Sequence, residues 1–193
     1  MPDLPTREDA LALVHEHVAS ESLRRHMYAV EAACRAYARE RGANEHLYGL
    51  AGLVHDFDYE RWPDEHPLRG VEMLRERGYP EEVIHAVQAH YAARTGVEPT
   101  TDLDKTLCAC DEVTGLITAA ALVRPTKSVM DLEAKSVLKK FKDRAFAAGV
   151  DRQEVQHAVA ALGVELKDHV QFVIEAMRGI APALGLQGTP AEA

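Results

Sequence analysis

Apolar residues recur every three or four positions along almost the whole chain, and no stretch alternates apolar with polar residues for long enough to make a strand. Such a chain has to bury helical stripes against one another, so the expected fold class is all-α. The punctuation agrees. Thr6 with Asp9 reads as a capping box opening a helix to about Val18, Ser20 caps a second that stops at Gly42, and Asn44 caps a third. Residues 56–67 read as turn, with Pro63, Pro67 and the aromatic trio Phe57, Tyr59 and Trp62. A helix from Leu68 to Gly78 follows, then one with Pro80 in its first turn, then a longer one from about Asp102 to Leu122 that Pro125 breaks. Shorter helices are expected at about 128–140 and 151–162 and a last one at 165–184, with the tail 185–193 frayed and flexible. At 193 residues and 47 % hydrophobic side chains, a single domain with a real core is expected over residues 1–184.

Several function classes drop out early. No apolar run reaches the roughly 18 residues of a membrane span. The N-terminal MPDLPTRED lacks the basic and apolar regions of a secretion signal. Cys34, Cys108 and Cys110 are an odd number without a CxxC pair, so no disulfide scaffold is expected and the chain reads as cytoplasmic. A net charge of −9 argues against general binding of nucleic-acid backbone. The charge is uneven, however: residues 124–144 hold seven Lys or Arg against three acids, a local +4. The Rossmann GxGxxG, the Walker A loop, the HExxH helix and the Gly-x-Ser-x-Gly elbow are all absent.

The chemistry is carried by polar residues that helical phase pushes into apolar stripes. His26 lies three residues after Leu23 and four before Val30; His55-Asp56 ends the apolar third helix. His90 follows Val83 and Val87 at helical spacing, and Asp111 lies four residues from both Leu107 and Gly115. Each of these groups alone would be costly to bury, and a divalent cation reached from several helices would satisfy them together. His85, roughly 140° around the helix from His90, faces elsewhere. His15, His17, His46, His157 and His169 read as surface or structural, and Cys108 and Cys110 as small core residues.

The order His26…His55-Asp56…Asp111 resembles the H…HD…D signature of the HD superfamily of metal-dependent phosphohydrolases, over roughly residues 20–120. The resemblance implies a helical bundle with the metal site in its core and a metal held by His26, His55, Asp56 and Asp111. His66-Pro67-x-x-Gly70 and the Ala89-His90-Tyr91 stretch are similar to the extra histidines of the two-metal branches. There the aspartate of the HD pair bridges two metals, which implies Asp56 as bridge and His66 and His90 on the second. Several of those branches carry a basic residue shortly after the HD pair, whereas here Asp58 and Glu60 precede Arg61.

The implied cofactor is one or two divalent ions among Mn, Fe, Co, Ni, Zn and Mg, and the implied reaction is attack of a metal-activated water on a nucleotide or other small phosphorylated metabolite. Asp56 and Asp58 are the expected catalytic carboxylates, and Arg124 and Lys127 the expected phosphate clamp. About 20 Å of helix separates Arg124 from Asp111, so the clamp requires Pro125 to turn the chain back over the pocket. Alternatives are a di-iron HD-type oxygenase and a non-catalytic metal- or nucleotide-binding module. No membrane partner is expected, and a homo-oligomer is compatible with the sequence.

Overall fold

The computed structural model describes residues 4–143 and 145–188, and among them every regular element is a helix. In chain order these are α1 (Arg7–His17), α2 (Glu21–Arg41), α3 (Glu45–Val54), α4 (Leu68–Glu76), α5 (Glu81–Ala89), α6 (Ala92–Thr95), α7 (Asp102–Leu122), α8 (Ala134–Phe141), α9 (Arg152–Leu162), α10 (Leu166–Arg178) and α11 (Ala181–Leu184). Short polar side chains start them as the sequence implies. Thr6 and Asp9 form both halves of a capping box, Ser20 accepts from the Leu23 N–H, and Asn44 accepts from the N–H groups of His46 and Leu47. Gly42, at φ 64°, ends α2 in the left-handed conformation that a Cβ would penalise. None of the described helices is long and apolar enough to cross a membrane.

Three boundaries differ from expectation, two because the backbone finds other partners and one because a proline removes a donor. Residues 128–133 are not helical: the Val129 N–H donates to the Leu186 carbonyl at 2.8 Å and the Ser128 hydroxyl to the Gln187 carbonyl at 2.8 Å. The same bonds, with Leu186 buried, hold residues 185–188 against the body rather than frayed; residues 189–193 lie outside the described chain. The single helix expected over 165–184 is two, because Pro182 has no N–H to offer the carbonyl four residues back.

Four helices frame the centre: α2 packs along α3, α3 against α5, α5 against α7, and α7 closes back on α2. The α2–α3 approach depends on glycine. A Cβ at Gly52 would lie 2.8 Å from the Glu31 Cα, and one at Gly49 would strike the Arg35 guanidinium, so a methyl group at Gly52 forces the two helices apart. Glu31, buried beneath this crossing, is held by Arg7 at 2.6 and 2.9 Å and by Arg35 at 2.9 Å. On the other side α10 brings His169 into the core, where Nε2–H donates to the Ala109 carbonyl at 2.8 Å and Nδ1 accepts from the Tyr37 hydroxyl at 2.7 Å.

That histidine is kept neutral. Burial pushes its pKa from 6.5 down to about 4. Between those values the unfolded chain binds a proton that the folded chain refuses, so stability should fall by about 3 kcal/mol as pH drops from 6.5 to 4. Urea unfolding across this range, in wild type and His169→Gln, checks it: the variant's pH slope should be shallower, and equal slopes would refute the assignment.

Candidate metal centre

The second helix delivers His26, the end of α3 delivers His55 and Asp56, and α7 delivers Asp111. His66 comes from the turn before α4 and His90 from the residue capping α5. Their donor atoms form two groups, each with all atoms within 4.8 Å of one another: His26, His55 and Asp111 in one, Asp56, His66 and His90 in the other. In the first, His26 Nε2 stands 2.9 Å from Asp111 Oδ1 and 3.3 Å from His55 Nε2, and His55 Nε2 stands 3.4 Å from Asp111 Oδ1. In the second, Asp56 Oδ1 lies 3.3 Å from His66 Nε2 and 3.6 Å from His90 Nε2. The other Asp56 oxygen faces the first group, 3.5 Å from His55 Nε2 and 3.8 Å from His26 Nε2.

These spacings fit a cation. Donors about 2.1 Å from one ion, at tetrahedral or octahedral angles, stand roughly 3.0–3.4 Å from each other. Tautomers fit as well, because every Nδ1 is engaged behind the site. His55 Nδ1–H donates to the Gly52 carbonyl at 2.9 Å, His90 Nδ1–H to the Val87 carbonyl, and His66 Nδ1–H to Asp58 Oδ1 at 2.7 Å. The Thr114 hydroxyl donates to the Asp111 carbonyl at 2.8 Å, leaving its lone pair toward His26 Nδ1 at 3.4 Å. Each imidazole is therefore set to offer Nε2 to an ion, as a metal ligand must.

Electrostatics point the same way. Burial pushes His55 down, but the Asp56 and Asp111 carboxylates outweigh it and raise its pKa to about 10. Burial pushes Asp56 and Asp111 up, yet the neighbouring histidines hold both below the usual carboxylate range. Without metal the site retains a proton on His55 that a cation must displace. Metal affinity should therefore rise with pH, by about tenfold per unit for each proton released, up to about pH 10. Calorimetry of Mn²⁺ binding in buffers of different ionisation enthalpy, at pH 6, 7 and 8, measures the release; none would show that His55 is not protonated in the metal-free site.

A cavity of about 530 Å³ opens on the centre, lined by His26, Asp56, His66, His90 and Asp111 together with Tyr59, Tyr91, Cys108, Glu112, Gly115, Gly149, Asp151 and Glu154. Six expected metal-site residues thus come together, with His55 completely buried just behind the wall. Asp58 does not reach the cavity as a base. It is completely buried, and its oxygens are taken by His66 and by the Gly70 N–H at 2.7 Å, so it positions His66 instead. The phosphate clamp is also displaced. Arg124 pairs with Asp131 at 2.8 Å, Lys127 borders a separate depression beside Gly185 and Gln187, and α8 packs on α7 and α10 instead of over the pocket. Among the described residues no lysine or arginine lines the cavity. Arg144 lies outside the described residues.

Sequence reasoning missed the acidic rim. Glu112 follows Asp111 on α7, and Asp151 and Glu154 come from the start of α9. Burial, then Asp111 and Glu154, push Glu112 up to about 7. Adjacency to Asp111 was the available signal; the α9 acids had none. Cys108 faces the cavity, with burial raising its thiol to about 12, whereas Cys110 turns inward against Cys34. His85 stands 3.0 Å from Asp104, away from the centre.

Comparison with known proteins agrees with this geometry. The chain is 29 % identical over 167 residues to Ribonuclease Y of Sulfurovum sp. (strain NBC37-1), an alignment that covers 76 % of this chain and 32 % of that protein. It thus spans about a third of that relative's length. No solved structure gives a significant match. Residues 23–116, which carry His26, His55, Asp56, His66, His90 and Asp111, match the HD domain family, so the chain carries an HD domain over this segment.

Proposed function

We propose that the protein is a metal-dependent phosphohydrolase acting on a small phosphorylated compound. The observation that carries this reading is the pair of donor groups joined through Asp56, whose two oxygens face one group each. A divalent cation there supplies a water acidic enough to ionise near neutrality and offsets charge on phosphate oxygens. His26, His55 and Asp111 with Asp56 Oδ2 would hold one ion, and His66 and His90 with Asp56 Oδ1 a second. This imidazole–carboxylate set suits Mn, Fe, Co, Ni or Zn better than Mg, which prefers oxygen. Glu112, held near neutrality beside the cavity, replaces Asp58 as the carboxyl suited to accept and return a proton.

The relative's name denotes a ribonuclease, and the shared chemistry is cleavage at phosphorus. A long RNA is the less suitable substrate here: the rim of Glu112, Asp151 and Glu154 repels a phosphate backbone, and the net charge is −9. The test is metal analysis of protein purified without added metal, then a panel of phosphate mono- and diesters with Mn²⁺. Wild type should hydrolyse at least one compound and His55→Ala none. Undiminished hydrolysis after chelation would overturn the reading. Dioxygen uptake by the iron-loaded protein without phosphate release would replace it with an oxygenase.

A further inference from the structure

Two tyrosines stand at the cavity over the metal centre with their side chains largely outside the core. Tyr59 is 49 % exposed and Tyr91 42 %, and both line the cavity. Each ring lies beside His66, Tyr59 at right angles with centroids 5.3 Å apart and Tyr91 tilted at 6.0 Å. Among the described residues neither hydroxyl finds a hydrogen-bond partner, whereas those of Tyr28 and Tyr37 are taken by His15 and His169. The backbone holds both in place. Asp58, just before Tyr59, is completely buried against His66 and the Gly70 N–H. Glu60, just after it, accepts from the N–H groups of Ala19 and Ser20 at 3.2 and 2.9 Å. Tyr91 follows His90, whose ring is tied to the Val87 carbonyl, and its own carbonyl accepts from the Arg94 N–H at 3.0 Å. Donors fixed in this way lose little freedom when a ligand arrives.

We propose that the hydroxyls of Tyr59 and Tyr91 donate hydrogen bonds to the phosphoryl oxygens of the substrate, in place of a lysine or arginine. This rests on the phosphohydrolase reading and names substrate-binding groups for it. Charge at the centre does not call for a basic side chain. Two divalent ions would bring four positive charges against the two negative ones of Asp56 and Asp111, which leaves enough to match a phosphate dianion. A phosphoryl oxygen turned away from the centre still needs a directional donor. Ionised Glu112, Asp151 and Glu154 have none, and the Cys108 thiol is a weak donor already directed to the Ala89 carbonyl. The two phenols are the side-chain hydroxyls on the described wall of the cavity. A lysine there would pair with the rim carboxylates, whereas a neutral phenol stays available to the ligand.

Tyr59→Phe, Tyr91→Phe and the double variant remove the hydroxyls and keep the rings, so Tm and Mn²⁺ stoichiometry should stay at wild-type values. Inorganic phosphate titrated calorimetrically into the Mn²⁺-loaded protein should bind about tenfold more weakly in each single variant, the loss expected for one hydrogen bond to a charged acceptor. The kcat/KM for p-nitrophenyl phosphate should fall with it. Leucine at either position should weaken phosphate about as much as phenylalanine does; a loss confined to leucine would assign binding to the ring and overturn the proposal. A phosphate Kd within twofold of wild type in the double phenylalanine variant overturns it, as does a Mn²⁺-loaded wild type that binds no phosphate. The phosphohydrolase reading fails separately. If wild type hydrolyses no ester yet binds phosphate through both hydroxyls, the donors stand and the reaction does not.

Discussion

Asp56→Ala should strip metal from both donor groups and lower kcat/KM about a thousandfold or more, equivalent to about 4 kcal/mol of transition-state stabilisation. Among the described residues Asp56 is the one side chain with an oxygen toward each group, 3.5 Å from His55 Nε2 on one side and 3.3 Å from His66 Nε2 on the other. Removing it leaves each set short of a carboxylate and the histidines facing one another without compensation. The loss should be confined to the site. Helix α3 ends at Val54, so Asp56 lies beyond its last turn and circular dichroism should show helix content unchanged. His55→Ala should act on the first group in the same way, with some loss of stability because that side chain is completely buried. Full metal occupancy in both variants, measured on protein purified without added metal, would show that the groups do not hold ions.

Asp58→Ala should separate the two positions. Asp58 touches neither the cavity nor the first donor group; it holds His66 Nδ1 at 2.7 Å and the Gly70 N–H at 2.7 Å. Losing such an anchor frees the imidazole to rotate or change tautomer, which typically costs 10–100-fold in metal affinity. The second ion should weaken by about that factor while the first keeps its affinity. Two buried donors left unpaired should also lower stability by about 1–3 kcal/mol each. Gly70→Ala approaches the same effect from the other side, since a Cβ there would lie 2.8 Å from the Asp58 carboxyl carbon. Mn²⁺ titration of Asp58→Ala that gives two equal sites of wild-type affinity would remove Asp58 from any part in positioning His66.

Local chemistry made much of the fold legible. Capping residues bind the nearest backbone donors, so Thr6, Ser20 and Asn44 mark helix starts wherever the helices later pack. Two of the misplaced boundaries arose where a distant segment competed for the backbone. Ser128 and Val129 bond to Gln187 and Leu186, nearly sixty residues away, and nothing near residue 128 announces it. The site divides along the same line. His26, His55, His90 and Asp111 were readable because a polar residue on an apolar helical stripe is anomalous by itself. Glu112 and the α9 acids were not, since an exposed acid on a helix is ordinary until another helix places it at a cavity mouth.

By itself, then, the sequence determined the class of the fold, the helix starts and the six residues that converge. The fold class and His26, His55, His90 and Asp111 follow from 3.6-residue periodicity and the cost of burying an unpaired polar group, the helix starts from capping side chains, and Asp56 and His66 from the resemblance to the HD signature. Tertiary structure alone decided what each charged residue outside that set does. Asp58 became an anchor because its turn folds under His66. Arg124 went to Asp131 because residues 125–131 turn it toward that carboxylate and away from the pocket. Charge acts over distances of several ångströms in any direction, and direction in space is set by how helices cross, which periodicity along one helix does not encode.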